Sequence, residues 1–284
     1  MKRLDNGILS IQINDYGAEL RTVIKNGWNY LWTADEKVWK WSSPLLFPIV
    51  GKLANDTYTH NGKKYKMASH GFARPNPDFE LAGKTNDSIS YILRANEKTR
   101  ECYPFEFALK VTYTLIGNKV KVNWEVTNKG ETNMPFSIGA HPAFTLKEGK
   151  NFFKFDSEND ISYNHLDPIG MNLPNERGTL KNDSGYVEIK DDMFDVSALI
   201  VEGEQAKEIS ICDENKNAYV TVRFSAPLFG LWSLAKTGNQ FVCIEPWYGR
   251  ADGTDYKGEF SEREYMMSLS AGETFRAEYE MEFN

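Results

Sequence analysis

Short stretches of alternating apolar and polar residues, joined by residues that favour tight turns, constrain this chain most. Leu9, Ile11 and Ile13 alternate with Ser10 and Gln12, the period of a half-buried strand. Leu20, Val23 and Ile24 form a second run. The pair Asn26-Gly27 divides it from Trp28, Tyr30 and Trp32, and Asn-Gly is a strong hairpin signal because both residues accept positive φ. Tyr58 to Met67 repeats the pattern around Asn61-Gly62, and Phe105 to Leu115 meets Lys119 to Val126 across Gly117-Asn118. Ser88 to Arg94, Ser197 to Val201, Glu208 to Cys212, Ala218 to Phe224, Leu228 to Leu234 and Phe275 to Phe283 read as further strands. Many short strands without a break imply one all-β, antiparallel domain spanning residues 1–284.

A few stretches depart from this pattern. Ala34 to Trp41 is charged and reads as a short helix, and Phe260 to Met267 as one or two helical turns. Pro44 to Gly51 is apolar but broken by proline, a buried crossing segment. Asn151 to Gly185 is rich in Asn, Asp, Pro and Gly and reads as long surface loops. Composition narrows the partners. Lys and Arg total 33 against 40 Asp and Glu, a net charge of −7 without long runs of either sign. That argues against nucleic acid or an anionic membrane surface as a partner. No apolar run approaches a membrane span or a signal peptide, and three scattered cysteines give neither a disulfide framework nor a thiolate metal motif. A reducing cytoplasm is the expected location, with the chain a monomer or homodimer.

The candidate chemistry lies where strands end. Phe241 to Ile244 is an apolar strand delivering Glu245, stopped by Pro246 and followed by Trp247 and Tyr248. His141 likewise precedes a proline, in Ser137-Ile-Gly-Ala-His-Pro-Ala-Phe144. Of the other three histidines, His70 heads His-Gly-Phe-Ala-Arg74, where Gly71 permits close backbone approach and Arg74 offers a planar donor fork. His60, at a hairpin tip, and His165, in the irregular middle, are expected to face solvent.

Four stretches, Leu45 to Asn55, His70 to Arg74, Gly139 to Phe144 and Ile244 to Arg250, together resemble the aldose 1-epimerases, or galactose mutarotases, and especially their LacX-like branch. The resemblance covers essentially the whole chain. It implies an antiparallel β-supersandwich with an open sugar cleft, an isomerase interconverting the anomers of a hexose or hexose phosphate, and no cofactor or metal. It also implies that Glu245 is the general base on the anomeric hydroxyl, that His141 is the general acid at the ring oxygen, and that His70, Arg74 and Asn55 bind the sugar. The chemistry suits the reaction, since anomer exchange needs one base and one acid across a hemiacetal. A bell-shaped pH profile follows, bounded by a carboxylate on the acid side and an imidazole on the alkaline side.

Two positions depart from the family pattern. Asp56 stands where an Arg follows Asn, with Arg74 or Lys40 as replacements, and Ser197 stands where a sugar-binding Asp is expected, with Asp195 two places earlier. Three rival readings have distinct signatures. A carbohydrate sensor on the same scaffold would lose the acid or the base. A glycosidase would pair Glu245 with Asp252 at a separation of roughly 5–9.5 Å. A cupin-like metal isomerase would need His-x-His, and neither His70 nor His141 has a histidine two residues away.

Overall fold

A computed structural model describes residues 1–235 and 240–284, with the backbone alone at 174–175. Among the described residues, two large antiparallel sheets dominate. The nine-stranded sheet runs in the order Tyr186–Glu188, Phe152–Phe155, Glu208–Cys212, Ala218–Phe224, Thr274–Phe283, Lys119–Asn128, Phe107–Ile116, Ser88–Arg94 and Glu80–Lys84. Alternation is clearest in its central strands. In Lys119–Asn128, Val120, Val122, Trp124 and Val126 point inward and are buried, while Lys119, Lys121 and Glu125 face outward and pair with charges on neighbouring strands. Each large apolar side chain fully buried this way contributes about 1.5–3 kcal/mol.

The eight-stranded sheet carries the segments of interest. Its order is Asn172–Leu180, Ile161–Leu166, Leu199–Glu202, Leu228–Trp232, Phe241–Tyr248, Ile138–Ala140 and Leu45–Leu46, with Ala143–Thr145 also paired to Phe241–Tyr248. One face, with Val242 and Ile244, packs into the main core, and the other presents Cys243, Glu245 and Trp247. A four-stranded sheet, Lys2–Asp5, Ser10–Ile13, Leu20–Lys25 and Trp28–Asn29, adds Leu4, Ile11, Leu20 and Val23 to the core. Its hairpin turns through Asn26 at φ 51° and Gly27 at φ 81°, as Asn-Gly predicts.

The architecture is the expected all-β one, with local exceptions. Ala34 to Trp41 makes turns rather than a helix: Ala34 sits at φ 58°, and Trp39 accepts a bond from the Trp32 indole at its carbonyl, 2.8 Å away. Asn151 to Gly185 is not long loops. It contains the strands Phe152–Phe155, Ile161–Leu166 and Asn172–Leu180, because its turn-forming residues are concentrated in hairpin tips such as Asp167 to Gly170, closed by a 2.9 Å backbone bond. The helix Glu97–Cys102 lies where no apolar period announces it, and a capping box between Asn96 and Thr99 starts it. Phe260–Glu262 forms a 3₁₀ turn and Met267–Leu269 a strand. His60 and His165 are half-buried, with ring centroids 4.9 Å from Phe105 and 5.0 Å from Tyr163. No helix among the described residues is long and apolar enough to cross a membrane.

Candidate active site

Strand register brings the two strand-end groups together. Ile138 pairs with Tyr248 and Gly139 with Trp247; past the proline, Ala143 pairs with Cys243 and Phe144 with Val242. The offset is the same on both sides of Pro142, so His141 lies opposite Glu245 although over a hundred residues separate them. His141 Nε2 is 3.2 Å from Glu245 Oε2. On the other flank Glu245 pairs with Gly230, which is glycine for a steric reason. A Cβ there would lie 2.5 Å from Cη2 of the Trp247 indole, and that ring also covers Gly139. Trp247 thus lies flat along the sheet, with Nε1 donating to the Ala140 carbonyl at 3.2 Å.

Gly51 joins the other two sequence motifs. Its N–H donates to His70 Nδ1 at 3.2 Å, and its carbonyl accepts from the His70 N–H at 2.8 Å. Because Nδ1 accepts a bond, the proton of neutral His70 sits on Nε2, which is free to donate. Gly51 (φ 73°) packs against Ala251 so tightly that a Cβ would come within 2.4 Å of its nitrogen, and at Gly71 (φ 71°) a Cβ would come within 2.2 Å of the Phe47 carbonyl oxygen. Only glycine meets both demands. The His70 ring centroid is 5.7 Å from that of His141. Half-buried Arg74 donates to the Ser69 carbonyl at 3.3 Å and lies over Trp41 at 5.6 Å.

These groups line a cavity of about 310 Å³, large enough for a small-molecule ligand. Its walls include Trp39 and Trp232, whose ring centroids lie 5.0 and 5.4 Å from that of His141. Neither tryptophan has a local sequence signal, since one rides an irregular loop and the other a neighbouring strand. Lys52 and Ser197 also line the cavity, whereas Lys40 and Asp195 are exposed and outside it. Asp56 is exposed and sits 3.8 Å from Lys52. Asn55 is exposed on the Ala54–Asp56 turn and is not among the lining residues. A larger hollow of about 620 Å³ adjoins the same strands. Leu166, Ser197 and Ala198 line both, while Leu199 faces the larger hollow and Ile200 the smaller cavity.

The electrostatics are unusual. Glu245 is fully buried and His141 nearly so, and neither carboxylate oxygen of Glu245 nor Nδ1 of His141 has a hydrogen bond of good geometry. Burial pushes the Glu245 carboxyl well above the usual carboxylate range, with the Trp247 indole and Arg74 opposing only in part. Burial also holds His141 well below the usual imidazole range, helped by His70 and Arg74. For His70, burial and then Arg74 bring it down to about 3. Both shifts favour the uncharged forms, a protonated Glu245 beside a neutral His141. Among the described residues lining the cavity Glu245 is the one carboxylate; Asp252, the partner a glycosidase would need, is held by the Arg263 guanidinium and the Ala54 N–H.

Residues 2–268 match the family model described as aldose 1-epimerase. Protein LacX of Lactococcus lactis subsp. lactis, in its plasmid form, is 28% identical over 261 residues, covering 87% of each chain. A galactose mutarotase related enzyme from Lactobacillus acidophilus, solved by X-ray crystallography, superposes with a TM-score of 0.92 at 34% identity, covering 100% of this chain and 97% of its own. A galactose mutarotase-like protein from Lactobacillus casei gives a TM-score of 0.91 at 25% identity, with both chains covered completely.

Proposed function

The chain belongs to the aldose 1-epimerase family and is a sugar epimerase, and from that premise we propose that it interconverts the α and β anomers of a hexose, free or phosphorylated, with Glu245 as base and His141 as acid. The observation that carries this reading is the 3.2 Å approach of the two groups at the floor of one cavity. An uncharged pair holds one proton in total, and so does the pair carboxylate plus imidazolium. Entry of a sugar brings hydroxyls that solvate the charged form, and the proton passes from Glu245 to His141 with no exchange with solvent. The Glu245 carboxylate then takes the proton of the C1 hydroxyl while His141 protonates the ring oxygen, and the C1–O5 bond opens to the aldehyde. Rotation about C1–C2 and the reverse transfers close the other anomer. His70 Nε2–H and Arg74 hold sugar oxygens, and Trp39 and Trp232 supply flat apolar faces.

Positioned acid and base groups contribute about 10²–10⁴-fold each, sufficient for a reaction that already proceeds in water. Lys52 and Arg74 are the cations at the cavity, so hexose 6-phosphates belong in the substrate panel. Exchange between anomeric proton signals, measured by NMR saturation transfer on a panel of hexoses and their 6-phosphates, tests the reading. At least one member is expected to exchange faster with the protein present. Binding without faster exchange for every sugar in the panel would favour the carbohydrate-sensor alternative.

A further inference from the structure

We propose that His141, Cys243 and Glu245 form a binding site for a thiophilic divalent cation, zinc by preference, and that its occupation switches the enzyme off. One ligand atom from each residue lies within 4.8 Å of the other two. Cys243 and Glu245 are two apart on one strand and project from the same face, and the register above sets His141 across from Glu245. Tetrahedral zinc with bonds of about 2.0–2.3 Å needs ligand atoms roughly 3.3–3.8 Å apart, so even the widest separation of 4.8 Å has to close by only about 1–1.5 Å. All three side chains are buried, and neither Glu245 oxygen has a hydrogen bond of good geometry, so a cation would give the carboxylate a strong partner in a site that offers few.

The donor set defines the cation. Sulfur, imidazole nitrogen and one carboxylate oxygen suit zinc, cobalt or cadmium, whereas magnesium and calcium take oxygen ligands. Binding releases two protons to solvent, one from Cys243 and the one held by the Glu245–His141 pair, as the metal–sulfur bond forms and a ring nitrogen of His141 and a Glu245 oxygen ligate the cation. His141 and Glu245 both line the sugar cavity. Both proton-transfer groups are then occupied, so inhibition is competitive with sugar. The inhibition rests on the proposed function; the site itself does not.

Cobalt(II) titration of the full chain tests the site without reference to activity. A thiolate–cobalt charge-transfer band should appear at one equivalent, vanish in Cys243→Ala, and persist when Cys102 and Cys212 are both replaced by alanine. Zinc should inhibit anomer exchange reversibly on chelation, and Cys243→Ala should keep basal exchange while needing at least about 10-fold more zinc. No band in the wild type, a band unchanged in Cys243→Ala, or one lost in the Cys102/Cys212 double variant would overturn the site. Equal zinc sensitivity in wild type and Cys243→Ala would overturn the switch. Should Cys243→Ala not fold, the wild type and the double variant decide the site alone. Failure of basal exchange with an intact cobalt band would count against the proposed function and not against the site.

Discussion

Replacing Glu245 by Gln is expected to remove anomer exchange, by about 10²–10⁴-fold, while raising thermal stability. The loss follows because an amide cannot accept the hydroxyl proton. The gain follows because the native carboxyl is fully buried, and its ionised form carries a desolvation cost above the roughly 1–3 kcal/mol of a neutral polar group, which the uncharged amide never meets. The sign of the pH dependence is fixed by the direction of the shift. Burial raises the folded-state pKa of Glu245 above its unfolded value of about 4.3. Its contribution is therefore fully present below the unfolded value and is lost as pH rises through the folded one. The Gln variant carries no such loss, so its advantage should widen from acid to neutral pH, reaching roughly 2–4 °C per kcal/mol. Denaturation midpoints across that range give the answer, and a variant less stable than wild type at neutral pH would contradict the description of Glu245 as an uncompensated buried acid.

His141→Asn is expected to cost a similar factor and also to reverse the pH dependence on one side. In the wild type the active pair holds one proton. Activity falls in acid when a second proton joins the pair and falls in alkali when the only proton leaves, and these limbs belong to the pair rather than to either residue. Burial lowers His141 and raises Glu245, which shifts the acid limb toward the imidazole and the alkaline limb toward the carboxyl. This is the opposite of the order expected from unperturbed groups. With His141 gone, the surviving rate depends on ionised Glu245 alone and should rise with pH where the wild type declines. A residual profile that keeps the wild-type shape would sink this assignment of the limbs.

Which parts of this were legible in the sequence depends on the range of the interactions. Hairpins such as Tyr58 to Met67 are local: alternation and Asn61-Gly62 are enough to find them, and the strands Thr57–His60 and Lys63–Lys66 sit where they should. The strand Ser88–Arg94 is found residue for residue. Asn151 to Gly185 misleads because turn-forming residues mark hairpin tips as readily as loops, and Phe153, Phe155, Ile161 and Leu166 are the buried residues that show the strands between them. The family motifs single out Glu245, His141, His70 and Arg74, all of which line one cavity, but not the exposed place of Asn55. Trp39 and Trp232 reach the cavity through loop path and sheet neighbours, which no local pattern records, whereas Lys52 lies within the Leu45 to Asn55 motif. Cys243 did have a signal, since a residue two before Glu245 on the same strand must share its face. The inverted pKa directions could not be read at all, because they arise from burial of the floor of a cavity built from distant segments.

The account depends on Glu245 and His141 acting as one acid–base unit across a single sugar ring. Groups that act together are strongly non-additive. The decisive measurement is the anomer exchange rate of the Glu245→Gln/His141→Asn double variant beside both single variants, on the best sugar of the panel. The double variant should be no slower than the slower single variant. Losses that multiply, or a single variant that exchanges at the wild-type rate, would contradict it.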